Sequence, residues 1–293
     1  MCATCGCEGV VHAHDEQADV PEDHDHGHEH HGHHREHEHR DHDHGHEHHG
    51  RHHHAPPPGG TVSELVRFER ALLEKNARLA AENRRFFAGH GVLALNLMSS
   101  PGAGKTTLLE SAIGALIPRH DVLVIEGDQA TDNDAARIRA AGARAVQINT
   151  GAGCHLDAHM VFHAASELEP QRGALLFIEN VGNLVCPALF DLGEALRAVV
   201  VSVTEGEDKP LKYPHMFRSS DVLIVNKIDL LPYVACDVER LIRNARRVKP
   251  GLRVFRLSAV TGAGLAEFCA FVGGELAALD SLAARPQARP EST

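Results

Sequence analysis

Residues Leu97 to Leu108 read Leu-Met-Ser-Ser-Pro-Gly-Ala-Gly-Lys-Thr-Thr-Leu, and this stretch decides the fold. The apolar run Val92 to Met98 leads into a loop with two glycines, and the loop leads into the apolar pattern of a helix. Strand, loop and helix in this order build a phosphate cradle. Ser99 stands where the pattern G-x-x-x-x-G-K-S/T has its first glycine. The stretch predicts a nucleotide phosphate site in spite of that departure.

The chemistry of such a loop assigns roles to its residues. Its backbone N–H groups turn onto phosphate oxygens, Lys105 supplies a mobile positive charge, and the Thr106 hydroxyl can ligate Mg2+. Lys105 and Thr106 are therefore predicted to be catalytic as well as nucleotide-binding. The other nucleotide-binding candidates here are Ser100, Gly102, Ala103, Gly104 and Thr107. A glycine-rich turn that binds nothing is the alternative interpretation.

Seven short apolar runs are separated by helical or loop stretches. They are Val92 to Met98, Val122 to Ile125, Ala145 to Ile148, Leu175 to Ile178, Ala198 to Val203, Val222 to Val225 and Val254 to Leu257. Near-continuous apolar strands are buried on both faces, so the pattern predicts an α/β fold of the P-loop NTPase type with a mostly parallel sheet flanked by helices. Ligands of such sheets lie at the carboxyl ends of the strands.

The tetrapeptide Asn226-Lys227-Ile228-Asp229 follows the sixth apolar run. A carboxylate at the fourth position of an N-K-x-D loop can accept hydrogen bonds from two N–H groups of guanine, which adenine does not offer. ATP would leave that acceptor unpaired, and a buried unpaired acceptor discriminates strongly. Asn226, Lys227 and Asp229, with Ser258 and Ala259 after the last apolar run, therefore predict a guanine site.

The fourth apolar run is followed by Glu179-Asn180-Val181-Gly182. A nucleotide hydrolase places the acid that orients Mg2+ here, and a glycine three residues later can sense the γ-phosphate. Glu179 is therefore predicted to be catalytic and Gly182 to contact nucleotide. Further acids for the magnesium shell are Asp128, Asp132 and Asp134, of which we favour Asp128 as a metal ligand and Asp134 as a catalytic residue. No motif supplies a Gln or Arg to position water, so slow intrinsic hydrolysis is expected.

A second constellation of metal-ligand residues lies at Gly153-Cys154-His155-Leu156-Asp157-Ala158-His159. The spacing puts His155, His159 and His163 on one helical face, and Cys186 follows the Glu179 segment. A metal held by Cys154, His155 and Cys186 would be tied to the nucleotide-sensing segment, and His159 is a further candidate metal ligand. A buried thiol with a hydrogen-bonded core histidine is the alternative. Three ligands leave the ion incompletely coordinated, so a second subunit or a partner could complete it.

The first 60 residues differ in composition from the rest of the chain. Cys2, Cys5 and Cys7 form a C-x-x-C-x-C cluster that can bind Ni2+ or Zn2+. From His12 to His54 the chain has 19 histidines among acidic residues, which predicts a disordered metal reservoir. A Pro/Gly linker ends this tail at residue 60. The domains predicted after it are an amphipathic helix at 61–90 that packs on the GTPase domain, that domain at 91–283, and a disordered tail at 284–293.

Most of the net negative charge of the chain lies in this tail. The net charge is −11, and residues 1–60 carry 13 acids against three arginines. The rest is nearly neutral, so nucleic-acid binding is not expected. No apolar window is long enough to span a membrane and no signal peptide is evident, so we expect a cytoplasmic protein without membrane partners.

Taken together, these segments resemble the HypB family of hydrogenase maturation GTPases, nickel-insertion factors of the P-loop class. The resemblance covers about residues 62–279 and the N-terminal cysteines. Its carriers are residues 99–106, Glu126-Gly127-Asp128, residues 153–159, residues 179–187 and residues 226–229. Ser99 and Glu179 are features of that family.

The resemblance implies a GTPase that forms a homodimer when GTP is bound, with nickel or zinc at Cys154, His155 and Cys186 near the dimer interface. It implies GTP/GDP, Mg2+, Ni2+ and Zn2+ as ligands. It also implies a HypA-type nickel chaperone as partner, with delivery into the large subunit of [NiFe]-hydrogenase. Two alternatives stay open: a urease-type nickel-insertion GTPase, and a metal-storage protein with an incidental nucleotide site.

Overall fold

The structure, a computed structural model, describes residues 62–128, 133–151 and 153–283. Its parallel strands are β1 (Leu93–Ser99), β2 (Val122–Asp128), β3 (Arg144–Asn149), β4 (Leu175–Glu179), β5 (Leu196–Ser202), β6 (Val222–Asn226) and β7 (Arg253–Arg256). Its helices are α1 (Val62–His90), α2 (Lys105–Leu116), α3 (Asn133–Ala140), α4 (Ala158–Leu168), α5 (Lys209–Lys212), α6 (Pro214–Ser219), α7 (Val238–Val248) and α8 (Leu265–Ala283). The predicted Cys2, Cys5 and Cys7 cluster, the histidine tract, the linker, Asp132 and the C-terminal tail lie outside the described residues.

The strands form one seven-stranded sheet in the order β3-β2-β4-β1-β5-β6-β7, with every pairing parallel. Strands β1, β4 and β6 are buried at every position, as their continuous apolar sequences require. Helices cover the sheet, and the apolar core divides between its faces. The predicted α/β P-loop fold is confirmed.

The site is positioned by β1 at the centre of the sheet. Leu97 of β1 lies opposite Glu179 of β4 on one side and Ala198 of β5 on the other. From β1 the chain first adds β2, β3 and β4 on one side of the sheet and then adds β5, β6 and β7 on the other side. Ligands of open parallel sheets bind in the crevice outside the carboxyl ends of the strands at such a change of side. The loops after β1, β2, β4 and β6 therefore define the region where the motifs meet.

Helix α1 packs against α4 through a face that overlaps only in part with its apolar stripe. The stripe repeats every seven residues at Leu65/Val66, Leu72/Leu73, Leu79/Ala80 and Phe86/Phe87. Ala80 and Phe87 are buried, whereas Val66 is 57% exposed and Leu73 is 36% exposed. The buried residues of α1 are Asn76, Ala80, Asn83 and Phe87. The two asparagines are buried because their side chains hydrogen-bond to backbone groups, including the Asp191 and Leu192 carbonyl oxygens.

None of the helices in residues 62–128, 133–151 and 153–283 contains an apolar segment of the length that a membrane span requires.

Candidate functional site

A cavity of about 670 Å³ opens at the carboxyl edge of the sheet. This volume lies within the range of small-molecule sites. The predicted nucleotide and magnesium residues in its wall are Gly102, Gly104, Lys105, Thr106, Thr107, Asp128, Asp134, Glu179, Gly182, Asn226, Lys227, Asp229 and Ala259. The fold thus brings the phosphate loop, the acidic residues predicted to hold magnesium and the N-K-x-D loop to one cavity.

The phosphate loop, residues 99–106, requires its glycines for two separate reasons. Gly102 and Gly104 have φ values of +73° and +93°, a region that favours glycine. A Cβ atom on Gly104 would also lie 2.8 Å from Nδ2 of Asn226. The loop can therefore pack against the N-K-x-D loop only with glycine at this position.

Lys105 is buried and held by the residue that departs from the sequence pattern. Its Nζ donates a hydrogen bond of 2.8 Å to Oγ of Ser99. The Ser99 hydroxyl in turn donates to the Ser100 carbonyl oxygen at 2.6 Å. Burial lowers the pKa of Lys105, and the nearby Glu179 opposes that shift. Ser99 thus gives the lysine a hydrogen-bond acceptor that glycine would lack.

The N-K-x-D loop braces the phosphate loop. Asn226 donates from Nδ2 to the Ala103 carbonyl at 3.0 Å, and its Oδ1 accepts from the Ala259 N–H at 3.2 Å. Lys227 donates from Nζ to the Gly102 carbonyl at 2.7 Å. These bonds tie the loops after β1, β6 and β7 into one frame around the cavity.

Asp229 is the residue of the N-K-x-D loop that is predicted to recognise guanine. It belongs to the cavity wall, and its Oδ1 is buried without a hydrogen bond among the described residues. A buried unsatisfied acceptor costs about 1–3 kcal/mol, so the position suits a ligand that brings N–H donors.

Three predicted nucleotide-binding residues lie outside the cavity wall. The Ser100 hydroxyl donates to Glu205, and Ala103 accepts from Asn226. The Ser258 Oγ accepts from the Thr261 N–H at 3.1 Å, which shapes the loop after β7. The side chains of Ser100 and Ser258 and the carbonyl of Ala103 therefore support the loops, and the nucleotide contacts predicted for these three residues stay predictions.

Two buried glutamates face the phosphate end of the cavity. Thr106 donates from Oγ1 to Oε1 of Glu179 at 2.8 Å, and Oε2 of Glu179 has no hydrogen bond within the described part of the chain. Burial raises the pKa of Glu179 to about 7, although Lys105 opposes the shift. The pKa of Glu126 is raised to about 8 by burial and by the charge of Glu179. Both acids are thus poised to exchange a proton for a cation.

Sequence reasoning gave no role to Glu126 or Arg137, although both belong to the cavity wall. The signal for Glu126 was an acid inside a buried strand, where charged groups are rare. Arg137 donates to Glu110 at 2.7 Å and to Asp134 at 3.1 Å. Only the i,i+3 spacing from Asp134 hinted at this arginine, because no motif contains it.

The segment after β4 packs directly on the phosphate loop. A Cβ atom on Gly182 would lie 3.0 Å from Cα of Pro101. The Asn180 N–H donates to the Leu97 carbonyl at the end of β1 at 3.0 Å. A displacement of the phosphate loop would therefore be felt by the residues that follow Glu179.

Cys154, His155 and Cys186 form a cluster of potential metal ligands, with their ligand atoms all within 4.8 Å of one another. Sγ of Cys154 lies 3.6 Å from Nδ1 of His155. The His155 ring stacks on Phe190 with centroids 3.8 Å apart. Burial lowers the pKa of His155, which favours the neutral imidazole that binds metals. Two thiols and one imidazole suit a soft or borderline ion.

Leu156 connects the metal cluster with the wall of the nucleotide cavity. The Leu156 N–H, next to His155, donates to Oδ1 of Asn180 in the cavity wall at 3.2 Å. Gly127, also in the wall, lies so close to Leu156 that a Cβ atom there would be 2.8 Å from the leucine side chain. Leu156 is thus packed between the two sites.

The predicted helical face of three histidines is wrong for its first member. Helix α4 begins at Ala158, with the Asp157 side chain as its N-cap, so His155 lies in the preceding turn. His159 is also not a member of the described Cys154/His155/Cys186 cluster. Its Nε2 lies 3.1 Å from Nε2 of His163 instead. Because Asp157 caps the helix, helical spacing begins only after His155.

The phosphate loop and the N-K-x-D loop on a parallel sheet define the class of P-loop nucleotide-binding proteins. The family model for the CobW/HypB/UreG nucleotide-binding domain matches residues 93–256. The Azotobacter vinelandii hydrogenase maturation factor HypB is 58% identical over 218 residues, which cover 74% of this chain and 72% of the relative. The chain belongs to the HypB family of hydrogenase maturation factors, within this class of P-loop GTPases.

Solved structures agree with this assignment. HypB from Archaeoglobus fulgidus superposes with a TM-score of 0.65 at 40% identity, covering 69% of this chain and 99% of that one. HypB from Helicobacter pylori, solved in complex with nickel, also has a TM-score of 0.65, at 38% identity, covering 70% of this chain and 96% of that one. The resemblance stated from the motifs is confirmed.

Proposed function

We propose that this protein binds and hydrolyses GTP in a Mg2+-dependent reaction and uses the cycle to take up and release Ni2+ during hydrogenase maturation. The observation that carries the proposal is the position of Asn180. It belongs to the nucleotide cavity and accepts a hydrogen bond from Leu156 beside the metal cluster. A nucleotide that moves the segment after β4 would therefore change the geometry of Cys154, His155 and Cys186.

GTP is the proposed nucleotide because of the Asp229 acceptor. Its unpartnered Oδ1 suits the N–H donors of guanine and would stay unsatisfied beside adenine. Lys105 would neutralise phosphate charge after leaving Ser99, and Gly182 would bring its backbone close to the γ-phosphate.

The residues present fit a magnesium ion. Glu179 has a buried oxygen that lacks a hydrogen-bond partner among the described residues, next to the Thr106 hydroxyl. Thr106 and Glu179 would hold the ion, with Asp128 or Asp134 completing its oxygen shell. When bound, Mg2+ neutralises charge on the β- and γ-phosphates. We propose a slow intrinsic rate, because Glu110 and Asp134 engage the guanidinium of Arg137.

Nickel is proposed as the cargo of the Cys154/His155/Cys186 cluster. A related HypB is described in complex with nickel, and two thiols with an imidazole suit Ni2+ or Zn2+. Three ligands leave coordination positions open. We propose that a GTP-dependent homodimer or a HypA-type chaperone completes the site, and that the ion passes to the large subunit of [NiFe]-hydrogenase.

An assay of hydrogenase activity in cells tests this function against simple metal storage. Lys105→Ala should abolish maturation at every nickel concentration, because the nucleotide cycle is lost. A chain that begins at Thr61 should fail only when nickel is scarce. Normal maturation by Lys105→Ala would refute the proposal and favour storage. Urease activity measured in the same cells would test the urease-type alternative.

A further inference from the structure

An aromatic ring lies nearly flat against the imidazole of the Cys154/His155/Cys186 cluster. The rings of His155 and Phe190 have centroids 3.8 Å apart, and their planes are inclined by 28°. Phe190 has no metal-ligating atom of its own and is only 7% exposed. We infer that Phe190 is a positioning residue that fixes the ring plane of His155 and thereby sets the affinity of the cluster for Ni2+. The inference rests on the proposed role of the cluster as a nickel site.

The orientation of His155 has no other evident source. A metal-bound histidine normally donates its second ring N–H to a carboxylate, a backbone carbonyl or water, and this bond fixes the ring. In the part of the chain that the structure describes, the His155 ring makes no hydrogen bond to a carboxylate or a backbone carbonyl, and its Nδ1 lies 3.6 Å from Sγ of Cys154. The flat contact with Phe190 therefore restricts rotation of the imidazole plane in place of that hydrogen bond.

The segment that carries Phe190 also supplies one of the thiols. The turn Cys186–Ala188 begins with the ligand, and the Leu189 N–H closes the turn by donating to the Cys186 carbonyl at 3.0 Å. Oδ1 of Asn183 accepts from the Cys186 N–H at 3.4 Å on the other side of the turn. Phe190 follows directly, so its distance from the thiol of Cys186 is set by the turn. One short segment thus positions a ligand and orients another.

Phe190 is also held from its C-terminal side. Nη2 of Arg197 donates to the Phe190 carbonyl at 3.4 Å, and Nε of the same arginine donates to the buried Glu194 at 2.6 Å. The carbonyl of the next residue, Asp191, accepts from Nδ2 of Asn76 on α1 at 2.7 Å. Because both ends of the segment are held, the phenylalanine ring is a fixed surface on which the imidazole can be oriented before the ion arrives.

The test measures Ni2+ binding through the thiolate-to-nickel charge-transfer absorption, in competition with a chelator. The parent is the full-length chain with Cys2, Cys5 and Cys7 changed to serine, and its histidine tract is the same in every variant. Phe190→Leu and Phe190→Met remove the flat ring while filling most of its volume. Each should weaken Ni2+ binding by about 10-fold and change the shape of the absorption band. Phe190→Tyr keeps the ring and should bind as the parent does.

Phe162→Leu is the matched control, because Phe162 is 39% exposed on α4 and has no contact with a cluster ligand. It should leave the affinity and the band unchanged. Thermal unfolding of each metal-free variant gives the temperature range in which all of them are folded, and binding is compared there. Parent-like binding by both Phe190→Leu and Phe190→Met would overturn the inference. So would a loss of affinity in Phe190→Tyr as large as in Phe190→Leu.

Failure of the proposed nickel site has a different signature. If the parent chain shows no charge-transfer band, or if the band survives in Cys154→Ser, the cluster is not the nickel site, and the inference about Phe190 is refuted with it. A parent band that disappears in Cys154→Ser but is unchanged in Phe190→Leu and Phe190→Met refutes the role of Phe190 alone.

Discussion

At the scale of single residues, we propose that the choice of base rests on one oxygen atom of Asp229. Asp229 lies in the cavity wall, and this atom is buried and has no hydrogen bond among the described residues. Neighbouring Asn226 and Lys227 use their side chains to brace the phosphate loop. Specificity and loop geometry are therefore divided between adjacent residues of one motif.

Asp229→Asn should weaken GTP binding by roughly 100-fold, because the new amide presents donors or a weaker acceptor to the guanine donors. Binding of ATP, already weak, should hardly change. Titration with fluorescent GTP and ATP analogues measures both affinities. Asp208→Asn, which removes an exposed carboxylate outside the cavity wall, is the control. Equal GTP affinities of Asp229→Asn and the control would contradict this role.

Glu126 should make the ligand-free protein less stable as the pH rises. Its pKa is about 8 in the folded state, whereas an unfolded glutamate titrates near 4.3. The folded state therefore binds more protons between these values, and the free energy of unfolding falls from about pH 5 to pH 8. Glu126→Gln should reduce this slope and add about 1–2 kcal/mol at pH 8.

Urea denaturation at pH 5.5 and pH 8 measures the effect of Glu126→Gln. The exposed Glu167→Gln is the matched control and should follow the wild type. If the slope of stability with pH is the same in wild type and Glu126→Gln, the buried acid does not carry the effect.

The sequence predicted the residues that belong to motifs better than those that do not. Thirteen of the predicted nucleotide and magnesium residues lie in the cavity wall because short motifs follow strands whose ends meet at one edge. Glu126 and Arg137 were missed, since their role comes from neighbours brought close by folding. Local spacing also misplaced His155, because the Asp157 cap starts α4 only after it.

At the scale of elements, the docking of α1 depends on a glycine in the loop before β5. Gly193 has a φ of +87°, and a Cβ atom there would lie 2.5 Å from the Ala80 carbonyl oxygen of α1. The same loop carries Phe190, which stacks on His155, and Asp191, which pairs with Arg84 of α1. The long helix and the metal cluster are therefore supported by one loop.

Gly193→Ala should lower the free energy of unfolding by about 2–4 kcal/mol, because both the backbone conformation and the contact with α1 are lost. Gly89→Ala, in the last turn of α1 with nothing within 4 Å of the new methyl group, is the matched control. It should be neutral or stabilising by up to about 1 kcal/mol. Thermal unfolding measures the midpoint of both variants. Equal midpoints for Gly193→Ala and Gly89→Ala would contradict the proposed docking.

The strands were predictable at this scale, but the packing of α1 was only partly so. Each of the seven predicted apolar runs forms a strand, and those inside the sheet are largely buried, whereas the edge strands β3 and β7 are only partly buried. The buried face of α1 includes Asn76 and Asn83, whose partners are backbone groups distant in the sequence. Hydrophobic periodicity has no means of indicating such positions.

At the scale of the whole molecule, the central claim is that the nucleotide cavity and the Cys154/His155/Cys186 cluster are energetically coupled. Leu156 touches the cavity through Asn180 and Gly127 and is the neighbour of His155. Coupling between two sites must be reciprocal, so Ni2+ at the cluster has to change nucleotide affinity by the same factor that nucleotide changes Ni2+ affinity.

The most direct measurement is the affinity of a fluorescent, non-hydrolysable GTP analogue with and without Ni2+. It is made in the full-length chain with Cys2, Cys5 and Cys7 changed to serine, so that the N-terminal thiols do not contribute. Our account predicts that Ni2+ changes the affinity by about 5- to 150-fold. It also predicts that Cys186→Ser, added to that chain, abolishes the change. An affinity that is the same with and without Ni2+ would contradict the account.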